Sequence, residues 1–338
     1  MKKIKKIIFY FLFFILLFSL FIFFLWQAIY LAKIPYDKES KIFTIEKGQG
    51  LKEISTNLEK EGIIKSDFLF NLYAIFSKKS TKLQAGKYEL SSSMAIPEIV
   101  EKFVKGEVIK EKITIIEGWN LNDIEKAINE KFKIKTQKLK LSVKNLPEFK
   151  EKFDFLKNLP ENATLEGFLF PDTYEFSFNV REEEILEKML VNFDKKLNSQ
   201  LREEIKKQNK TIFEIIIMAS LIEKEVQTME DKKLVSGVLW KRLKIGMPLQ
   251  VDATITYITG KKTTKISIEE TQIDSPYNTY KYFGLPIGPI CNPGLDSILA
   301  AIYPRESDYL FYLSTSDGKT IFSKNLLEHN IAKAKYLR

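Results

Sequence analysis

The sequence is poor in the residues that carry most nucleophilic and metal chemistry. Among 338 residues, cysteine occurs once, as Cys291, and histidine once, as His329. A single cysteine excludes an internal disulfide and any site built on several cysteines. A single histidine excludes zinc sites built on a histidine pair, and a serine–histidine–aspartate triad would have to use His329. The remaining chemistry rests on carboxylates, hydroxyls and amides, and we predict no cofactor and no metal.

Positive charge is not concentrated in a way that indicates a nucleic-acid partner. The formal net charge is +9, and four of the positive charges are Lys2, Lys3, Lys5 and Lys6. Beyond them, lysines are mixed with nearly as many carboxylates, which is typical of solvated helix faces. The sequence has no nucleic-acid motif or arginine cluster. We therefore predict no nucleic-acid partner.

The one long hydrophobic run stands at the N-terminus. Residues 7–32 are 26 positions without a charge, and roughly 20 apolar residues cross a bilayer. A cleaved signal peptide is the alternative, but its apolar region has only about 7–15 residues before a small-x-small site. We predict a cytoplasmic tail at 1–6, a single-pass anchor at 7–32 and a linker at 33–41. The lysines of the tail should stay in the cytoplasm. The chain that follows the anchor is then expected to lie on the outer side of the cell (inner) membrane.

A small unit is predicted to follow the linker. The alternation from Phe43 predicts a strand, Gly48 and Gly50 a turn, and the apolar spacing from Leu51 a helix. The pattern over 42–105 resembles a LysM module, a strand–helix–helix–strand unit that binds glycans containing N-acetylglucosamine. The alternative is an ordinary strand–helix unit that packs on its neighbour and binds nothing.

The most informative stretch for chemistry runs from residue 211 to residue 243. Residues 212–222 are almost all apolar and predict a buried helix that ends in Glu223-Lys224-Glu225. A carboxyl group beside a buried apolar wall has a raised pKa, as a general acid near neutral pH requires. The two glutamates lie about 200° apart on a helix and cannot share one face. Both could also be surface charges at a helix end. Thr228 and Asp231 predict the cap of a second helix.

Several blocks from residue 165 to residue 330 resemble, in order and spacing, the MltG (YceG-like) family of endolytic murein transglycosylases. The blocks are residues 165–174, 219–225, 249–254, 275–280, 284–286, 288–294 and 328–330. We predict an α+β fold with a mixed α+β catalytic domain at 161–338, because a new pattern begins after Pro160. The region at 106–160 is then a connecting α+β region.

The resemblance implies that the family's catalytic glutamate falls on Glu223. The implied reaction cuts the MurNAc–GlcNAc bond of nascent peptidoglycan without water. Glu223 would protonate the glycosidic oxygen and then accept the proton of the sugar's own 6-hydroxyl, which leaves a 1,6-anhydro end. Such a mechanism needs one carboxylate, whereas ordinary glycosidases need two.

Five further residues are candidates for binding the glycan. Gln250, Asp252, Tyr277 and Asn278 could bind sugar hydroxyl and N-acetyl groups or stabilise the oxocarbenium-like charge. Their alternative role is turn and strand chemistry, since Pro276-Tyr277-Asn278 is a good turn former. Glu166 is a second acidic candidate that could instead only fix the loop at Gly167.

Two functions of different classes remain open at this point. The first is an enzyme that limits glycan strand length, acts on peptidoglycan beside the membrane and, by resemblance, works near peptidoglycan synthases. The second is a non-enzymatic, membrane-anchored scaffold that binds the wall and recruits synthesis or division proteins. A carboxylate at the end of a buried helix favours the enzyme, because a scaffold has no need of it.

Overall fold

The protein has an α+β architecture divided into two compact units. A computed structural model describes residues 2–132, 146–177, 180–261, 263, 265–315 and 317–336. The first unit contains residues 1–111 and 175–180, and the second contains 112–174 and 181–338. The α+β class predicted from the sequence is confirmed, while the predicted boundaries at 105 and 160 stay predictions. Residues 133–145 of the predicted connecting region lie outside the described residues.

The first unit contains the hydrophobic helix and the predicted small unit. Its elements are α1 (Lys2–Tyr30), β1 (Ser40–Ile45), α2 (Leu51–Lys60), α3 (Asp67–Phe76), β2 (Gly86–Ser91) and α4 (Ile96–Lys105). Strands β1 and β2 pair antiparallel, with Ser40 opposite Ser91 and Ile45 opposite Gly86. The order strand, helix, helix, strand is the one expected for residues 42–105. That this unit is LysM-like stays a prediction.

The core of the first unit is built on aromatic rings from strand and helix. Phe103 of α4 lies 4.6 Å from the ring of Tyr88 and 6.1 Å from that of Phe43, measured between centroids. Phe70 of α3 packs on the same ring, and all four residues are buried. Alternation along each strand directs Phe43 and Tyr88 to the same side, where the helices cover them.

Among the described residues, one helix is long and apolar enough to cross a membrane. It covers Lys6–Tyr30, the greater part of α1. Its apolar side chains are exposed over most of this length. Exposure of so many large apolar side chains on a helix of this length suits contact with lipid.

The second unit is mostly helical. Its helices are α5 (Leu121–Phe132), α6 (Leu146–Lys152), α7 (Glu182–Lys196), α8 (Ser199–Lys207), α9 (Ile212–Glu225), α10 (Met229–Lys244), α11 (Asp252–Thr259), α12 (Leu295–Ile302) and α13 (Leu326–Tyr336). Strands β5 (Phe311–Ser314) and β6 (Thr320–Ser323) pair antiparallel. Strands β3 (Lys110–Thr114) and β4 (Thr173–Ser177) form another two-stranded sheet.

Helix α9 is the central helix of the second unit. Thr211 caps it, because its hydroxyl accepts from the Glu214 N–H while the Glu214 carboxylate accepts from the Thr211 N–H. Every residue from Ile215 to Ile222 is buried, as the sequence predicts. Thr228 caps α10 by accepting from the Asp231 N–H at 3.2 Å, which confirms the predicted second helix. The turn between the two helices begins at the two glutamates.

Candidate active site

The C-terminal end of α9 presents Glu223 and Glu225 to different surroundings. The two residues are separated by two positions, so their side chains leave the helix in nearly opposite directions. Glu223 points towards α10 and α12, where its hydrogen-bond partners lie. Glu225 points towards the start of α11 and towards β5. Each carboxylate therefore belongs to its own cluster of side chains.

Glu223 is held by three donors. The Lys232 ammonium lies 3.2 Å from Oε1, and Oε2 accepts from the Gly294 N–H at 2.9 Å and from the Ser297 hydroxyl at 2.7 Å. The ion pair is secluded, with side-chain exposure of 9% for Glu223 and 5% for Lys232. A carboxylate bonded to an ammonium group and two further donors is held in one position by charge-assisted hydrogen bonds. The catalytic role predicted for Glu223 stays a prediction.

Glu225 lies in the environment expected of a general acid. Burial raises the pKa of its carboxyl group to about 7, because a low dielectric disfavours the charged form. The Tyr312 hydroxyl and the Ala253 N–H donate to this carboxyl group and oppose the rise. The residue as a whole is partly buried, as is Glu223.

Three polar side chains complete the cluster around Glu225. The negative charge of Asp252 adds to the rise in the pKa of Glu225, and the Tyr280 hydroxyl donates to Asp252 Oδ1. The Arg242 guanidinium is buried, where it donates to the carbonyls of Leu249 at 2.6 Å and Leu310 at 2.7 Å. The cluster thus contains two carboxylates, two phenols and one buried cation.

Glu166 forms a separate buried network. Its Oε2 accepts from the Leu121 N–H at 3.1 Å and from the Tyr257 hydroxyl at 3.3 Å, and its Oε1 accepts from the Asn292 amide at 3.0 Å. Burial raises the pKa of Glu166 to about 8. Asn292 in turn accepts from the N–H of Gly167 and of Leu169, each at 2.9 Å. This geometry fits the loop-fixing alternative weighed for Glu166.

Comparison with known proteins identifies the family. The model of the YceG-like family matches residues 43–335. The chain belongs to the YceG-like family. It is 35% identical over 321 residues to the endolytic murein transglycosylase of Bacillus subtilis, with 90% of this chain and 87% of that protein covered. It is 34% identical to the endolytic murein transglycosylase of Streptococcus pneumoniae, of which it spans 66%.

A solved structure of the same family shares this fold. The crystal structure of a YceG-like protein from Listeria monocytogenes matches with a TM-score of 0.60 at 35% identity. The match covers 88% of this chain and all of that one. The resemblance inferred from the sequence blocks is confirmed by these matches.

The binding candidates of this YceG-like chain have different surroundings. Asp252 lies in the Glu225 cluster. Gln250 is exposed and adopts a left-handed φ of 50°, with its N–H bonded to the Thr279 carbonyl. The Asn278 amide is buried and donates to two backbone carbonyls, of Thr271 and Ile273. That pattern is turn chemistry, and binding roles for Gln250 and Asn278 stay predictions.

Tyr277 lies apart from both glutamate clusters. Its ring centroid is 5.0 Å from that of Tyr257, and Tyr257 donates to Glu166. Tyr277 also lines an open cavity of about 300 Å³ whose wall includes Phe213 and Pro289. Its predicted role in glycan binding stays a prediction.

Sequence reasoning missed four residues that define the two clusters. Lys232 and Arg242 have the signature of solvated charges on a helix, yet both are buried. Tyr312 and Ser297 reach the glutamates from elements distant in sequence. The one signal that could have revealed Lys232 and Arg242 is their position on α10. By helical periodicity, each falls on the side of the helix that faces the core. Among the residues that the structure describes, His, Cys, Asp and Glu side chains form no group that could hold a metal ion.

We predict that Glu166 makes the stability of the fold depend on pH. Its folded pKa of about 8 lies above the usual value of about 4.3 for a free glutamate, so the folded state binds the proton more tightly. The stabilisation is complete below about pH 4.3 and is lost as the pH rises through about 8. In Glu166→Gln, chemical denaturation should show a weaker fall in unfolding free energy over this interval. The exposed control Glu161→Gln should behave like the parent protein, and an equal fall in both variants would contradict the assignment.

Proposed function

We propose that this chain is an endolytic murein transglycosylase that cuts the glycan strands of peptidoglycan. Membership of the YceG-like family and 35% identity to a relative of that name, over 87% of the relative, support the substrate and reaction class. The Glu225 cluster supports the chemistry, because it offers a carboxyl group that can be protonated near neutral pH. The observation on which the mechanism rests is the position of this carboxyl group beside Asp252 and the Tyr312 hydroxyl.

The proposed reaction breaks the bond between C1 of N-acetylmuramic acid and the glycosidic oxygen. A protonated carboxyl group gives its proton to that oxygen, which leaves as the hydroxyl of the next sugar. The 6-hydroxyl oxygen of the muramic acid attacks C1, and the carboxylate accepts the 6-hydroxyl proton. The products are a free hydroxyl end and a 1,6-anhydro end, and the enzyme recovers its proton without water. Cleavage of this kind limits the length of the glycan strands.

The sequence resemblance places the proton transfer on Glu223, and that assignment stands as one proposal. We propose Glu225 as the alternative, because of the side chains that surround it. Glu225 has the raised pKa that a general acid needs. Glu223 receives an ammonium group and two other donors, all within 3.2 Å. The two assignments predict opposite outcomes for the two glutamine variants.

The groups beside Glu225 have plain roles in this scheme. The Asp252 carboxylate can stabilise the positive charge that develops at C1, and Tyr280 orients it. Tyr312 donates to Glu225 and holds its carboxyl group in one orientation. We retain Gln250, Tyr277, Asn278 and Glu166 as the remaining substrate-binding proposals. In the case of Asn278 and Glu166, the observed contacts support an indirect role through loop position.

We propose that α1 anchors the enzyme in the cell membrane with its N-terminus in the cytoplasm. The apolar segment Lys6–Tyr30 is long enough to span, and lysines precede it. The catalytic unit would then lie outside, where peptidoglycan is. Residues 42–105 are proposed as a LysM-like glycan-binding unit, supported by the strand–helix–helix–strand order. Peptidoglycan synthases are proposed as neighbours because they make the nascent strand.

The test is mass spectrometry of purified peptidoglycan digested by the full-length protein in detergent. Abundant 1,6-anhydro-muramyl ends are the expected result. Reducing muramic ends would instead identify a hydrolase that uses a second carboxylate, with Asp252 as the first candidate. Binding to the wall without cleavage would favour the scaffold function.

We predict that cleavage slows as the pH rises above about 7. Because the acid must be protonated in the free enzyme, kcat/KM should be level below the pKa of about 7 of Glu225. Above it, kcat/KM should fall about tenfold per pH unit, as for an essential acid. The measurement is initial rate of anhydro-end formation at low substrate, from pH 5 to pH 9. Glu203→Gln, at an exposed position of α8, serves as a control and should keep the same profile. A rate that rises towards pH 9 would contradict the role of Glu225.

A further inference from the structure

Helix α3 of the first unit leaves large apolar side chains in solvent. Phe68 is 65% exposed, Ile75 58% and Phe76 79%. These residues, with the partly buried Leu72, follow helical spacing and lie on one side of the helix. The opposite side, with Phe70 and Ala74, is buried in the core of the unit. We call the side formed by 68, 72, 75 and 76 the outer face of α3.

An outer face of this composition requires a cover. Helix α3 is apolar nearly all round, and such helices are ordinarily buried on every side. Contiguous exposed aromatic and aliphatic groups mark a protein, ligand or membrane contact. The question is which surface lies against it.

The hydrophobic helix α1 lies directly beside α3. The ring of Tyr30, at the end of α1, packs edge-on against the ring of Tyr73 on α3, with centroids 6.1 Å apart. Trp26 stacks on Tyr30 at 5.5 Å. Tryptophan and tyrosine at the end of a spanning segment sit at the level of the lipid headgroups. Tyr73 precedes Ile75 and Phe76 by two and three residues. These two residues of the outer face therefore lie near the level of the lipid headgroups.

We propose that the outer face of α3 lies on the outer surface of the bilayer that α1 crosses, as an interfacial helix with its aromatic side chains among the lipid headgroups. This rests on the proposed membrane anchor and adds to it a second, peripheral contact. The end of α1 contacts α3 through Tyr30 and Tyr73, and Tyr73 is next to Leu72 of the outer face in the chain. The first unit is then held against the membrane by two elements.

The charges around α3 suit this partner. Lys65 precedes the helix, and Lys78 and Lys82 follow it, and all three are exposed. Lysines that flank an apolar helical face attract anionic lipid headgroups. A glycan surface would not require phenylalanine and isoleucine to stand free in this way. Lipid therefore fits both the apolar face and its basic borders.

The experiment places an environment-sensitive fluorophore at single cysteines of the full-length protein in nanodiscs. The natural Cys291 is buried and is replaced by alanine throughout. Phe76→Cys reports on the outer face. Ile42→Cys, at an exposed apolar position of β1, is the matched control in the same unit. Ser19→Cys lies in the middle of α1 and reports on the anchor. Lipids with a nitroxide at a shallow or a deep position quench according to depth.

The expected result is strong quenching at Phe76→Cys by the shallow nitroxide, weaker quenching by the deep one, and none at Ile42→Cys. Such a profile corresponds to burial of about 5–10 Å into the interface. Quenching at Ser19→Cys with none at Phe76→Cys would overturn the proposal while the anchor stands. No quenching at Ser19→Cys would remove the anchor and the proposal together. A blue-shifted but unquenched label at Phe76→Cys would mean a protein cover and would also overturn it.

A second variant separates contact with lipid from mere proximity. Phe68→Ser combined with a label at Ile75→Cys removes one aromatic side chain of the outer face while leaving α1 unchanged. If the face holds the unit on the bilayer, shallow quenching at residue 75 should decrease relative to the label in the parent sequence. The same quenching in both proteins would mean that α1 alone brings the helix near the lipid, and would overturn the proposed contact.

Discussion

Glu225→Gln should lower the rate of anhydro-end formation by roughly 10²–10⁴-fold, the usual contribution of a general acid. The amide keeps the size of the side chain and can still accept from Tyr312 and the Ala253 N–H, the donors that hold the carboxyl group. It cannot give up a proton to the glycosidic oxygen. The loss should therefore appear in kcat, with binding of the glycan retained.

Glu223→Gln is the matched control, since it makes the same chemical change two residues earlier on the same helix. The amide can still accept from the Gly294 N–H and the Ser297 hydroxyl. We expect the folded fraction of this variant to keep turnover within about tenfold of the parent enzyme, less than the loss of a general acid. Circular dichroism gives the folded fraction for each variant. The reverse pattern, with Glu225→Gln active and Glu223→Gln inactive, would return the catalytic role to Glu223.

The contrast between Glu223 and Glu225 shows which features of the site can be predicted from neighbouring residues in the sequence. The apolar run from Ile212 predicts a buried helix, and Thr211 and Thr228 predict caps, because each signal lies within a few residues of its effect. Helical periodicity also separates the faces of Glu223 and Glu225. What lies on each face depends on residues brought in by the fold. Periodicity therefore identifies the pair and cannot rank its members.

The difference between the surroundings of Glu223 and Glu225 comes mainly from residues that are distant in the sequence. Ser297 and Gly294 reach Glu223 from more than 70 residues along the chain, and Tyr312 reaches Glu225 from β5. Lys232 is nine residues from Glu223, but lysines are common on α10 and a buried one has no distinctive neighbour pattern. The family resemblance supplies the reaction class, since its blocks match whole motifs. It also places the catalytic glutamate on Glu223, which stays a prediction.

The binding candidates show the same limit. Asn278 belongs to a block that matches the family, yet its amide is buried and bonded to the carbonyls of Thr271 and Ile273. Asparagine is suited both to fixing a turn and to binding a sugar. Its presence in the sequence therefore does not distinguish the two roles. Glu166 illustrates the acidic case, with three donors from distant elements around one buried carboxyl group.

Lys232→Met should destabilise the second unit by about 3–5 kcal/mol, the usual cost of removing one partner of a buried ion pair. The methionine fills the space of the aliphatic stem, so the loss comes from the Glu223 carboxylate left without its cation. The measurement is the midpoint of chemical denaturation. Arg305→Met, which breaks the exposed pair with Glu230, is the control and should cost about 0–1 kcal/mol. An equally small effect of Lys232→Met would mean that the pair is open to water.

The double variant Glu223→Gln/Lys232→Met then decides between a structural and a catalytic Glu223. Removing both charges leaves a neutral amide that still accepts from Gly294 and Ser297, and neutral replacements of buried ion pairs are often tolerated. Its stability should recover most of the loss seen in Lys232→Met alone. If Glu225 transfers the proton, this restored protein should also cleave glycan at a rate near that of the parent. A stable double variant without anhydro products would show that Glu223, for all its donors, takes part in the chemistry.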